Sequence, residues 1–146
     1  MLLAHASSRR FTSGKADSKV PMIIFLVVLV VALFLGYKFI PVYWQNEKYE
    51  SAIREHLNWD RFYEGATPPT EDSVYPKVRE SAKTILGVDI NEQAVNAEEY
   101  IQVGRLQQGQ EPFPLYVKAK YKRIVNLPIL GAKVLVFEIY EVQEKD

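Results

Sequence analysis

Side chains that carry out acid–base or metal chemistry are scarce in this chain of 146 residues, which contains two histidines and no cysteine. His5 lies in a polar N-terminal stretch. His56 lies on the apolar side of a helical pattern, where a partly buried structural histidine is expected. Asp60 and Glu64 are one helical turn apart, but no pocket motif around them indicates a general acid and base.

Other motifs of catalysis and cofactor binding are also missing from the sequence. The absence of cysteine excludes disulfides, thiolate metal sites and cysteine nucleophiles. The sequence has no glycine-rich phosphate loop, no G-x-S-x-G turn, and no spacing of His or carboxylates typical of a metal site. We therefore expect a protein that is not an enzyme and that binds no cofactor or metal.

The strongest charge pattern consists of three alternating lysines, Lys118, Lys120 and Lys122. In a β-strand such residues project from one face. One interpretation is a solvated sheet face, with Glu138 or Glu141 of the next strand as cross-strand partners. The other is a basic stripe that binds lipid headgroups or an acidic protein. With 18 basic and 18 acidic residues, the chain offers no reason to expect nucleic-acid binding.

The element that must position these residues is an uncharged apolar run over residues 20–37. As a helix it is about 27 Å long, against a hydrocarbon core of about 30 Å. The run lacks the polar stripe of a soluble helix and ends without an A-x-A-like cleavage site. These features predict a retained transmembrane helix over residues 20–42.

The flanks of this run predict its orientation. Residues 1–19 form a short polar stretch, which indicates a flexible tail. They carry four basic side chains: Arg9, Arg10, Lys15 and Lys19. On the other side, basic and acidic residues alternate. The positive-inside rule then predicts a cytoplasmic N-terminus, an inner-membrane span and a periplasmic C-terminal domain.

The exit from the membrane is marked by aromatic and basic residues. Tyr37, Tyr43 and Trp44 suit the membrane–water interface, and Lys38 can extend its ammonium to the headgroups. Pro41 removes one backbone donor and should bend the helix or end it. Which of the two happens is open from sequence alone.

Residues 43–70 are predicted to form a juxtamembrane helix and a connector. Helical spacing of apolar residues continues to Leu57, and Glu50 and Arg54 are set for an i,i+4 ion pair. The connector, residues 58–70, contains Gly65 and two prolines. Three of its aromatic residues are too apolar for a pure linker and are candidate partner contacts: Trp59, Phe62 and Tyr63.

Residues 71–146 are predicted to form a small α+β domain. A helix should start with Ser73 as N-cap, hold Pro76 in its first turn and end at Gly87. Three strands should follow, over residues 99–107, 115–125 and 133–143. Short loops between them favour an antiparallel three-stranded sheet packed with a helix.

The third strand is apolar on both faces. Leu135, Phe137 and Ile139 share one face, and the other carries Val134, Val136, Tyr140 and Val142. This pattern predicts a strand buried on both sides. In so small a domain, a neighbouring subunit or the membrane exit region could cover one side, so Phe137 is a further candidate partner contact.

The order of these elements resembles a known group of proteins. Residues 36–43 read Gly-Tyr-Lys-Phe-Ile-Pro-Val-Tyr, residues 86–90 read Leu-Gly-Val-Asp-Ile, and a closing hairpin contains Leu127-Pro128 and Gly131. The chain resembles small single-pass bacterial membrane proteins of unknown function. Their membrane helix ends in Lys-x-Ile/Val-Pro-x-Tyr and precedes a helix and a small antiparallel sheet. The layout is pilin-like, and the resemblance implies no catalytic residue.

The chain departs from processed pilins. Gly14 is followed by Lys15, and the fifth residue after Gly14 is Lys19 where prepilin processing requires glutamate. We therefore expect a non-enzymatic accessory or structural subunit of a larger membrane complex, in contact with lipids and with other membrane subunits. The alternatives are a pilin-like filament or secretion-system component and, as a lesser one, a membrane-tethered ligand-binding or enzymatic domain.

Overall fold

The structure is a computed structural model that describes residues 19–109 and 111–144. The predicted tail, apart from Lys19, lies outside the described residues. The chain divides into two units, one up to Gly36 and one from Tyr37 onward, and each is described by itself.

The first unit is the apolar part of helix α1, which runs from Lys19 to Leu57 over 39 residues. Its side chains are exposed along the apolar run. The most apolar 18-residue window of α1 has a mean hydropathy of 2.8, and α1 is the one helix within the described residues long and apolar enough to cross a membrane.

Pro41 does not end the helix, so the alternative that was open from sequence is decided: the juxtamembrane residues up to Leu57 continue α1. Residues on both sides of Pro41 remain helical. A proline removes one backbone donor and crowds one carbonyl. Here α1 continues because its later turns are held by packing, with Tyr49, Ile53 and Leu57 fully buried at helical spacing.

The second unit begins with these later turns of α1. A single turn, α2, follows at Trp59–Phe62, and α3 spans Glu71–Ser81. The N-cap of α3 is Thr70 rather than the predicted Ser73. Both residues take part in a capping box, in which Thr70 Oγ1 accepts from Ser73 N–H at 3.3 Å and Ser73 Oγ accepts from Thr70 N–H at 2.9 Å.

The end of α3 agrees with the sequence prediction. The helix widens into a π-helical turn, Ala82–Leu86, which places Ala82 and Leu86 among the buried residues. Gly87 follows with a φ of 69° and closes the helix in the left-handed conformation that glycine adopts without strain.

Three strands complete the second unit. They are β1 Tyr100–Arg105, β2 Leu115–Leu127 and β3 Gly131–Val142, all antiparallel in the order β1-β2-β3. The central strand is therefore β2, and both β1 and β3 are edges. The architecture is α+β, as predicted.

One core holds the second unit together. Helix residues from α1 and α3 pack on one face of the sheet, called here the inner face. The buried inner-face residues of β2 are Leu115, Val117, Ala119, Tyr121, Val125 and Leu127. The alternating burial along β2 confirms the face assignment made from sequence.

Candidate interaction surfaces

The opposite, outer face of the sheet carries the three alternating lysines, and each has a partner in the chain. Lys122 Nζ lies 2.6 Å from Glu98 Oε2, and Lys120 Nζ lies 3.8 Å from Glu138 Oε1. The hydrogen bond from Lys122 holds the pKa of the Glu98 carboxyl below its usual range. These pairs support the interpretation of a solvated, charge-paired face.

Lys118 is engaged differently, because its partners are aromatic rings. Its Nζ lies 5.6 Å from the ring centre of Tyr140 and 5.9 Å from that of Tyr116. Tyr116 also lies across Gly104 on β1, where a Cβ would come within 2.8 Å of the Tyr116 hydroxyl. Gly104 therefore leaves the space that this tyrosine occupies.

The outer side of β3 is the main departure from the sequence prediction. Val134, Val136 and Tyr140 are 57%, 50% and 52% exposed, so the prediction that β3 is buried on both faces is wrong for the single chain. The physical reason is that the helices cover only the inner face of the sheet, so β3, like β2, has the core on one side. Ile124 of β2 lies directly opposite Val134 and extends the same apolar surface.

The hairpin between β2 and β3 ends in an apolar turn, which we call the hairpin tip, residues 128–130. Ile129 is 105% exposed and Leu130 is 64% exposed. Ile129 has a φ of 73°, and Leu130 N–H donates to the Pro128 carbonyl at 2.9 Å, which makes a three-residue γ-turn. A β-branched residue with this φ is strained. This site was not predicted from the sequence, although residues 124–132 contain no charge.

A second surface lies along the exposed side of α1 and α2. A shallow cleft is lined by Ser51, Arg54, Glu55, Phe62 and Tyr63. The Tyr63 hydroxyl donates to Glu55 Oε1 at 2.8 Å, and this bond raises the pKa of Tyr63. Phe62, a predicted partner contact, is exposed at the rim of this cleft.

Trp59 is held within the chain. Its ring lies 3.9 Å from that of Tyr63, and Lys77 Nζ lies 4.7 Å from its centre. The structure thus brings Trp59, Phe62 and Tyr63 into one neighbourhood, with Trp59 half-buried and Phe62 outermost.

Phe137 is also engaged inside the second unit. Its ring lies 5.2 Å from that of Tyr121 and 5.5 Å from that of Tyr43. Phe137 therefore packs against the core and presents little surface to a partner. Of the residues predicted at the membrane interface, Tyr37, Tyr43 and Trp44 are exposed and Lys38 is half-buried.

Charged groups beside the inner face form a small network. Arg54 lies 2.9 Å from Glu141 and 3.4 Å from Glu50, so the predicted i,i+4 pair is present. Partial burial and the neighbouring Glu141 carboxyl raise the pKa of Glu50. Glu141 belongs to this network rather than to the lysine stripe, because its side chain lies on the inner side of β3.

The one described histidine has a structural environment. His56 Nε2 lies 2.9 Å from Ser81 Oγ, which links α1 to α3. Burial, and secondarily the Lys77 charge, lower the pKa of His56. Within residues 19–109 and 111–144, no group of three or more His, Cys, Asp or Glu side chains is arranged to hold a metal ion.

Comparisons with protein-family models, with curated proteins and with solved structures give no match. Any functional conclusion therefore depends on the surfaces described above.

Proposed function

We propose that this chain is a non-enzymatic, single-pass membrane protein that serves as an accessory or structural subunit of a larger membrane complex. The observation that carries the proposal is the apolar outer side of β3. It is exposed in the single chain, at the edge of a sheet whose other face is fully packed. Contiguous exposed apolar surface marks sites of protein or membrane interaction.

The apolar helix supports the membrane part of this proposal. Its side chains are exposed over a length sufficient to span a bilayer. In water, a helix with so much exposed apolar surface would aggregate. The edge of β3 supports the partner part. A long edge strand with apolar residues and few charges offers backbone donors and acceptors to another chain.

A photo-crosslinking experiment tests this function. A photoreactive amino acid replaces Val136 on the outer side of β3 or, as a matched control, exposed Thr67 in the connector. Membranes are irradiated and solubilised in mild detergent, and the crosslinked products are identified by mass spectrometry. We expect one dominant membrane-protein partner from position 136, absent from position 67. Migration at monomer size without crosslinks from position 136 would contradict the proposal.

The proposed orientation places the N-terminus in the cytoplasm and the second unit in the periplasm. The basic N-terminal flank supports it. Because the chain contains no cysteine, a single cysteine at Thr67 reports the side on which the second unit lies. Labelling by an impermeant thiol reagent in intact spheroplasts is the expected result, and labelling only after lysis would reverse the orientation.

A pilin-like filament or secretion-system component is a second candidate. It is favoured by the continuity of α1, whose apolar first part leads without a break into turns packed against a sheet. Such a subunit would be processed near its N-terminus. An intact mass that includes residues 1–14 would remove this candidate.

A further inference from the structure

The hairpin tip is the most unusual exposed feature within the described residues. Residues 124–132 carry no charge, and the turn presents Ile129 and Leu130 to solvent. Exposing these apolar side chains to water is unfavourable relative to burying them. A surface turn normally contains glycine or polar residues that relieve its backbone geometry.

Strain at Ile129 adds to this cost. A φ of 73° crowds the Cβ of any L-residue, and a branched Cβ most of all. Glycine would fit without strain, as Gly131 does two residues later at a φ of 77°. Nothing within the described chain covers the Ile129 side chain. Any contact that offsets this strain must therefore come from outside the chain.

The contacts of the second unit show which way the tip points. Asn58, directly after the last residue of α1, accepts from the Glu144 N–H after β3, while Tyr43 of α1 contacts Phe137, so β3 and α1 run in the same direction. Following β3 from Phe137 toward its first residue therefore leads in the direction from Tyr43 to Tyr37 on α1. The seven residues from Phe137 to Leu130 span about 23 Å, whereas Tyr43 and Tyr37 are about 9 Å apart along the helix. The hairpin is long enough to reach the level of Tyr37.

Tyr37 is the residue at which the apolar segment joins this unit.

The charges flanking the tip complement a lipid surface. Between residues 122 and 137 the chain has three basic side chains and no acidic one. Arg123 is engaged with Leu86 and Gln45, whereas Lys133 is exposed and forms no ion pair within the described part of the chain.

We propose that the hairpin tip is a second membrane contact, in which Ile129 and Leu130 enter the bilayer interface and Lys133 binds anionic phospholipid headgroups. The inference rests on the proposed membrane anchoring by α1. The hairpin then acts with the anchor as a two-point attachment that fixes the orientation of the domain on the lipid surface. The chemistry required of the membrane is an apolar layer with phosphate groups at its surface.

Single-cysteine labelling tests this contact, because the chain contains no native cysteine. The whole chain is reconstituted in phosphatidylcholine–phosphatidylglycerol nanodiscs as three separate variants: Ile129→Cys, Thr67→Cys and Val28→Cys. Each carries an environment-sensitive fluorophore, and quenching by nitroxide-labelled lipids is measured. Near-ultraviolet circular dichroism of each variant checks that the second unit is folded.

The expected result is lipid quenching at positions 129 and 28 and none at 67. Modification of Ile129→Cys by a water-soluble thiol reagent should be slower than that of Thr67→Cys by about tenfold, the factor expected if one apolar side chain is buried. Leu130→Cys serves as a second reporter and should behave like position 129.

Three outcomes would overturn the inference. If position 28 is quenched while 129 is as accessible and unquenched as 67, the tip contact is wrong and the membrane anchor stands. If position 28 is unquenched, the membrane anchor fails and the tip proposal falls with it. If position 129 is protected from the reagent but not quenched by lipid, a protein partner or a second copy covers the tip instead.

The lysine has its own test. In nanodiscs containing phosphatidylglycerol, Lys133→Glu should reduce lipid quenching at position 129. In nanodiscs of phosphatidylcholine alone, the same substitution should change this quenching less. The control is Lys120→Glu, which lies on the same sheet but further from the tip and already faces Glu138. Equal effects of the two variants in both lipids would overturn the role of Lys133.

Discussion

The two faces of strand β2 differ sharply although they belong to the same thirteen residues. On the inner face, Val117, Ala119 and Tyr121 are sealed against the helices. On the outer face, Lys118 contacts an aromatic ring and Lys120 pairs with a carboxylate. Ile124 on the same face is exposed. One alternating pattern therefore produces one face that stabilises the fold and another that is available for contacts.

The difference teaches where the stability of the domain resides. Burying apolar area is worth far more than a charge pair in water. The inner face should therefore account for nearly all of the free energy of unfolding that the sheet contributes. The outer face can carry exposed apolar residues because the fold does not depend on them.

The largest effect should come from truncating matched tyrosines on the two faces. Tyr121 is fully buried, and its hydroxyl donates to Asn46 Oδ1 at 2.5 Å. Tyr121→Ala should lower the free energy of unfolding by about 3–5 kcal/mol. Tyr140→Ala, on the outer face, should cost at most about 1 kcal/mol. Urea denaturation of the whole chain in mild detergent, followed by near-ultraviolet circular dichroism, measures both.

Equal losses for the two tyrosine variants would break the comparison, since they would show that the outer face also packs against part of the chain.

A second test compares two asparagines. Asn58 is 2% exposed, donates to the Arg54 carbonyl at 3.0 Å and accepts from Glu144 N–H at 2.9 Å. Asn58→Ala removes both side-chain hydrogen bonds at a buried position and should cost about 1–3 kcal/mol. Asn126, exposed on the outer face, is the control, and Asn126→Ala should stay within about 0.5 kcal/mol of wild type. A similar cost at both positions would argue against an anchoring role for Asn58.

The features of the fold that were predictable are those encoded in short stretches of sequence. Period-two alternation along β2 predicted that Lys118, Lys120 and Lys122 share one face of the sheet, and Gly87 predicted the end of α3. The cap at Thr70 was displaced by three residues because Thr70 and Ser73 both have cap-forming hydroxyls, and each bonds the other's backbone.

Features that depend on distant contacts were not predictable. The exposure of Val134 and Val136 follows from the packing of the helices on only one face of the sheet, which the residues of β3 do not encode. Helix α1 continues through Pro41 because packing of its later turns outweighs one lost hydrogen bond. Of the candidate surface, the lysine face was predicted, whereas Glu98 as a partner and the strained turn at Ile129 were not.

A third test compares ion pairs on the two sides of the sheet. Arg54→Met removes the cation between Glu50 and Glu141 and should cost about 1 kcal/mol, whereas Lys120→Met should cost less than about 0.5 kcal/mol. Both substitutions keep the apolar stem of the side chain. The free energy of unfolding is measured at two ionic strengths, and a larger loss for Lys120→Met would contradict the assignment.

The same arginine variant has a pH dependence of definite sign. Partial burial, followed by the Glu141 carboxyl, holds the pKa of Glu50 above its usual value, and Arg54 counteracts this shift. A group with a raised folded-state pKa contributes stability that is lost as pH rises through that pKa. Arg54→Met should therefore lose stability more steeply than wild type between the ordinary glutamate pKa of about 4.3 and neutral pH. Parallel pH profiles of the two proteins would show that Arg54 does not influence the titration of Glu50.

The smallest effect should be a gain in stability at the hairpin tip. Ile129→Gly relieves the strain of a φ of 73° and should raise the free energy of unfolding by about 0.5–1 kcal/mol in detergent. Leu130→Gly is the control. Among the described residues, Ile129 alone has a positive φ without being glycine, so Leu130→Gly should give no gain. A loss of stability in Ile129→Gly would mean that Ile129 serves the fold. A gain would mean that the hairpin tip retains a strained apolar residue for a contact beyond the chain.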